Sequence, residues 1–163
     1  MREKGIEDIY EKYASKIYKY IYAFSHDYDV AEEILQETFY SAIKNANKFR
    51  NESSIYTWLC KIAKNKRKDH LKKNKKIKFI SLDEIEISDN TTIEEEVYNN
   101  QKINSLNKAI LKCNEETKEV LILRLYANLT FKDIGKVFQK TEQWARTTFY
   151  RGKLKIKEEL KDE

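Results

Sequence analysis

Apolar residues recur along this chain at the three-and-four spacing of an α-helix and not at the alternation of a half-buried strand. Ile6, Ile9, Tyr10, Tyr13, Ile17, Ile21 and Phe24 mark a first helix. The second is VAEEILQETFYSAIKNA, preceded by Asp29, which with Glu32 three residues on makes a capping box. Its Ala31, Ile34, Leu35, Thr38, Ala42 and Ala46 face inward, leaving Glu33, Gln36, Glu37 and Tyr40 outside. A third helix, which Asn51 or Ser53 can cap, carries an apolar stripe of Leu59, Ile62 and Ala63. Trp58, Lys61, Asn65, Lys68 and Lys72 follow another of its faces.

The pattern restarts near Gln101. Ile103, Leu106 and Ile110 mark one amphipathic helix, EETKEVLILRLYA a second, TFKDIGKVF a short third and TEQWARTTFYRGKLKIKEEL a longer fourth. The last two, joined by a short turn, form a helix-turn-helix pattern with the small residue Gly135 inside the first. Ala145, Phe149, Gly152 and Ile156 make the inward stripe of the final helix; Gln143, Arg146, Thr147, Tyr150 and Lys153 make the outward one. Composition agrees with helix throughout: among 163 residues there are three glycines and no proline, so the usual turn-makers of β-structure are missing. The fold class read from this pattern is all-α, with two small helical domains.

Charge then divides the chain. Ten basic residues lie between Lys61 and Lys78, opposed only by Asp69. Seven acids lie between Ser81 and Glu96 with no base among them. That second stretch, SLDEIEISDNTTIEEE, has weak periodicity and reads as a flexible acidic linker over residues 77–100, between a domain over 1–76 and a helix-turn-helix domain over 101–163. The net charge of +5 suits a polyanionic partner.

The candidate chemistry is recognition. A helix entering the major groove needs donors near its N-terminus; Gln143 suits adenine, and Arg146 suits guanine or phosphate. The same polar face also suits an ordinary solvated helix. In YTWLCKIAKNKRKDHLKKNKK an aromatic head precedes a lysine-rich tail. Trp58 at this spacing fits a core position as well as a platform for an unstacked base, and Asn65 on the same face can read a base edge. Cys60 and Cys113 lack metal-ligand spacing and suit a reducing compartment. His26 and His70 have no companion cysteines or carboxylates, and no phosphate-binding glycine loop occurs. The expectation is no enzyme activity, no catalytic residue, no metal and no cofactor. With no apolar run near the length of a membrane span, the reading is a cytoplasmic protein without membrane insertion.

Three blocks, DVAEEILQETF, FRNESSIYTWLCKIAKN and LTFKDIGKVFQKTEQWARTTFYRGK, resemble the extracytoplasmic-function (ECF) sigma factors of bacterial RNA polymerase, in the family's order and over essentially the whole chain. The resemblance implies a sigma factor that binds core RNA polymerase and promoter DNA, directs promoter recognition, DNA opening and transcription initiation, and is held by an anti-sigma factor. It implies that Glu32, Glu33, Gln36, Glu37 and Phe39 bind polymerase. Tyr56, Trp58, Lys61, Asn65 and Lys68 would engage the unwound downstream element, with Asn65 at a flipped-base pocket. Arg124, Thr130, Lys132, Gln143, Arg146, Thr147, Tyr150 and Arg151 would contact the upstream element. Gln139 stands where the family commonly has a turn glycine, at an expected cost of ~1 kcal/mol if the backbone there is left-handed. A one-component helix-turn-helix regulator, or an interaction protein or nuclease-like enzyme on RNA, are the rival readings.

Overall fold

The computed structural model describes residues 3–74 and 93–162. Seven α-helices account for nearly all of them: α1 Glu3–Ser25, α2 Tyr28–Lys44, α3 Ile55–Lys73, α4 Ile93–Leu111, α5 Glu115–Leu125, α6 Phe131–Phe138 and α7 Glu142–Lys161, with one 3-10 turn at Ala46–Lys48. No strand occurs among the described residues. Most of the acidic stretch read as a linker lies outside the described residues; α4 begins within its end, at Ile93.

Helix starts follow side-chain caps, though not always the expected ones. Asp27, in extended backbone, caps α2 by accepting from the amides of Asp29 and Val30, so Asp29 lies in the first turn. Ser54, rather than Asn51 or Ser53, caps α3 by accepting from Thr57 N–H; Asn51 takes a left-handed backbone (φ 57°) in the preceding loop. Asn114, Thr130 and Thr141 cap α5, α6 and α7 in the same way. Each of these caps contributes about 0.5–2 kcal/mol.

In the N-terminal half, α1, α2 and α3 pack on one another around Ile17, Tyr20, Ile21, Ala31, Ile34, Leu35, Leu59, Cys60 and Ala63. Ala46, expected on the inner stripe of α2, falls in the 3-10 turn and is half-buried. Tyr10 is largely exposed, its ring edge-on to Phe39. In the C-terminal half α7 lies across α4, α5 and α6. Gly152 makes this crossing possible, since a Cβ there would meet Thr117 Cγ2 at 2.7 Å and Leu121 Cδ1 at 3.0 Å. Gly135 likewise lets the turn after α6 pass close by, where a Cβ would lie 2.8 Å from Lys140 O. That turn adopts the left-handed geometry at Gln139 (φ 56°, ψ 40°) despite the side chain, because its N–H satisfies the end of α6 at Gly135 O and Lys136 O.

The two halves touch. α3 packs on α6, and α1 on α5. Between them lies a polar cluster that charge patterning did not anticipate. Glu119 of α5 accepts from the Tyr20 hydroxyl and from the Arg67 guanidinium, and all three side chains are almost entirely buried. Arg67 and Lys64, which belong to the basic run, are thus core residues and not part of a uniformly solvated face.

Candidate nucleic-acid interface

α3 is a basic helix with two different sides. Asn65 and Lys68 are exposed, and Lys61 and Trp58 are half-buried. Trp58 packs against Phe49, with ring centroids 5.1 Å apart, so it is both a core contact and an edge of the surface. Tyr56 sits differently: its hydroxyl donates to Ala127 O at 2.6 Å, and its ring stacks on Tyr13 at 5.3 Å. Burial holds the Tyr56 phenol well above the usual tyrosine range. The Tyr56 side chain is therefore already occupied by its own protein.

About two turns further along α3, Lys64 places Nζ 3.7 Å from the centre of the Phe138 ring. Burial, reinforced by the positive charge of Lys68, pulls its pKa down to about 8, and Glu119 only partly offsets this. Arg67 stacks on Phe24, its guanidinium carbon 3.6 Å from the ring centre. A cation over an aromatic face gains about 0.5–2 kcal/mol. Cys60, one turn before Lys64, is buried, and burial raises its thiol pKa to about 12; it is an inert core residue.

Between α3, the loop before it and the end of α6 runs a cleft of about 300 Å³. Lys48, Arg50, Lys61 and Lys136 line it, with Phe49, Trp58 and Gln139. Four cations against the single acid Glu52 make its field positive.

α7 presents a freer surface. Gln143, Arg146, Tyr150 and Arg151 are exposed, and Thr147 is half-buried. Arg146 pairs with Glu142 one turn back at 3.1 Å, an exposed contact that leaves the guanidinium displaceable. Arg124 is tied inward: it donates to Leu129 O at 2.9 Å and stacks on Phe131 at 4.6 Å. Thr130 is committed to capping α6, and Lys132 is exposed beside it. Phe131 joins this group, since Arg124, Arg146, Phe149 and Tyr150 all contact its ring. Sequence reading missed Phe131 because its spacing marks only an apolar position.

On α2, Glu32, Glu33 and Gln36 are exposed and Glu37 is half-buried. Gln36 donates to Glu32 at 3.3 Å, and Glu33 lies 3.7 Å from His70 Nε2 on α3. Phe39 departs from expectation: it is 6% exposed, in the α1–α2 core, so it shapes this face from below without presenting a surface. Among the described residues no cluster of His, Cys, Asp or Glu is arranged to hold a metal ion, and no helix is long and apolar enough to cross a membrane.

Residues 9–77 match the family model of sigma-70 region 2, which takes in α2, α3 and most of α1. Over 96% of this chain and 92% of its own length, the RNA polymerase sigma factor YlaC of Bacillus subtilis is 29% identical. The ECF RNA polymerase sigma factor SigW of the same species is 26% identical over 98% of this chain and 91% of its own length. The fold matches the sigma factor RpoE solved with the anti-sigma factor NepR from Bartonella quintana, with a TM-score of 0.72 over 97% of this chain and 98% of that one, at 17% identity. Residues 9–77 are thus similar to sigma-70 region 2, and along nearly its whole length the chain is similar to RNA polymerase sigma factors, several of them of the ECF type.

Proposed function

We infer that the chain is a sigma factor that binds core RNA polymerase and directs promoter recognition, DNA opening and transcription initiation. The observation that carries this is the region 2 match over residues 9–77, with Asn65 and Lys68 exposed on its last helix. A one-component regulator has no use for a region 2, so that rival is not favoured. The protein works in the cytoplasm and does no chemistry of its own.

The roles divide along the chain. Residues 1–76 bind polymerase and hold the opened strand, 77–100 connect the halves, and 101–163 read the upstream element through α6 and α7 as a helix-turn-helix. Glu32, Glu33, Gln36 and Glu37 form the polymerase-facing surface of α2, backed by Phe39. Trp58, Lys61, Asn65 and Lys68, with Tyr56 once released, engage the downstream element. Gln143, Arg146, Thr147, Tyr150 and Arg151, with Lys132, face the upstream element; Arg124 and Thr130 hold their frame. Lysine outnumbers arginine on α3, so its phosphate contacts act as point charges without bidentate geometry. An anti-sigma factor is the expected regulator, as RpoE has NepR.

The test is in vitro transcription with core polymerase and genomic DNA. Defined promoter-specific transcripts that require the chain are expected. Their absence, with the chain binding duplex half-sites alone, returns the reading to a one-component regulator.

A further inference from the structure

Where α3 meets α6, the cleft of about 300 Å³ gathers positive charge that the chain does not answer. The N-terminal half contributes Lys48, Arg50 and Lys61, and the C-terminal half contributes Lys136. Among the described residues none of these four is in an ion pair, whereas Arg67, Lys112, Lys118 and Arg146 each have an acid. Glu52, the acid on the cleft wall, is exposed and pairs with none of them. Like charges converging on one concavity repel, and its low-dielectric walls focus their field. The arrangement costs stability until an anion enters.

The walls narrow the kind of anion. Trp58 is half-buried: it packs on Phe49, with ring centroids 5.1 Å apart, and also lines the cleft. A flat π-system beside ammonium and guanidinium groups suits a ligand with a flat ring at one end and phosphates at the other. Gln139, exposed at the left-handed turn after α6, adds an amide that is donor and acceptor at once, as the edge of a base requires. A bare phosphate would leave Trp58 and Gln139 unused. Small-ligand sites run from about 300 to 1,000 Å³, so this cleft holds one mononucleotide and excludes a duplex.

We propose that the cleft binds a free nucleoside di- or triphosphate, its phosphates among Lys48, Arg50, Lys61 and Lys136 and its base against Trp58. The site is built by both halves, since Lys136 and Gln139 come from the end of α6. It therefore differs from the downstream-strand surface proposed above, whose residues all lie on α3. Binding needs neither polymerase nor promoter, so it stands or falls apart from the functional reading.

The experiment is calorimetric titration of the full chain with ATP and GTP at low salt. Saturable binding is expected. Adenosine does not bind, because it lacks the charge, and inorganic tripolyphosphate binds more weakly, because it lacks the ring that stacks. The chain has two tryptophans, so Trp144→Phe leaves Trp58 as the fluorescent reporter, and the nucleotide quenches it. Lys136→Glu weakens affinity about tenfold or more, the scale of one lost charge-assisted hydrogen bond, and Arg50→Glu does the same from the other half. Lys157→Glu, the same charge change at an exposed position of α7, sets the baseline for net charge. Should Lys136→Glu fail to fold by circular dichroism, Arg50→Glu, at an exposed position before α3, decides. The site is overturned by no saturable binding of either nucleotide, by tripolyphosphate binding as tightly as ATP, by binding that leaves Trp58 unquenched, or by losses no greater than that of Lys157→Glu. It is overturned equally if single-stranded oligodeoxythymidine binds through Lys136 and Arg50 while ATP and GTP do not, which makes the cleft part of the strand path.

Discussion

α3 and α7 look alike as sequence. They have 19 and 20 residues, both carry a tryptophan near the start, and both are rich in lysine. In the structure they are opposites. α7 buries a narrow stripe of small and apolar residues, Ala145, Gly152 and Ile156, and leaves its cations in water. α3 buries Lys64 and Arg67 as well as Leu59, Cys60 and Ala63, because a second half of the protein covers part of its polar side. A basic face is therefore not by itself a free face. What decides is whether another element of the same chain arrives with an acid or an aromatic to meet it, as α5 does with Glu119 and α6 with Phe138.

Four measurements sharpen that contrast. The largest effect is expected on α3. Asn65→Ala removes an exposed amide whose proposed partner exists only once a base is unstacked, an event costing a few kcal/mol. Permanganate reactivity of the polymerase complex falls by roughly tenfold or more, while duplex binding and thermal stability stay unchanged. Normal strand opening by the variant removes Asn65 from the site.

On α7 the matching change is Arg146→Ala. Its bond to Glu142 is exposed and adds little stability. Loss of a base contact costs about 1–3 kcal/mol on a matched upstream site. Equal loss on matched and mismatched sites makes Arg146 a phosphate contact, and no loss excludes it from the interface.

The third measurement asks whether the covered side of α3 titrates. Lys64 has its pKa lowered to about 8 by burial first, then by Lys68, Arg67 and Lys61, with Glu119 opposing. The packed state therefore disfavours the ammonium. That cost is fully present below about pH 8 and is relieved as pH rises toward the free lysine value of about 10.4. Lys64→Met should raise the thermal midpoint at neutral pH, and the gap to the parent should shrink by about pH 10. A gap independent of pH means Lys64 is charged and solvated in the folded protein.

The smallest effect concerns the turn that presents α7. Gln139 holds φ at 56° where glycine has no steric penalty. Gln139→Gly should stabilise the C-terminal half by up to about 1 kcal/mol in thermal denaturation. Destabilisation instead shows that the glutamine side chain supports the turn.

Much of this molecule was legible in sequence. The period of the apolar residues marks each described helix, since burying one face of a helix requires that spacing whatever the neighbours are, but α4 begins at Ile93 and not near Gln101. Side-chain oxygens at helix starts give the caps to within a few residues: the pattern points to Asp29 for α2 and to Asn51 or Ser53 for α3, where the structure uses Asp27 and Ser54, because neighbouring polar side chains are equally able until the backbone is placed. The exposed faces of α2 and α7 follow from the same period, although Glu37 and Thr147 are half-buried and Phe39 lies in the core. The resemblance to sigma factors, too, is written in local motifs.

Only the tertiary structure decided what happens between the halves. Tyr20 lies 99 positions from Glu119 and Arg67 lies 52, and nothing local marks any of them as a partner. Lysine and arginine in a basic run carry the same charge whether they face water, phosphate or a buried carboxylate. Which of these they meet depends on the packing of α5 and α6 against α1 and α3, a geometry that no single helix encodes.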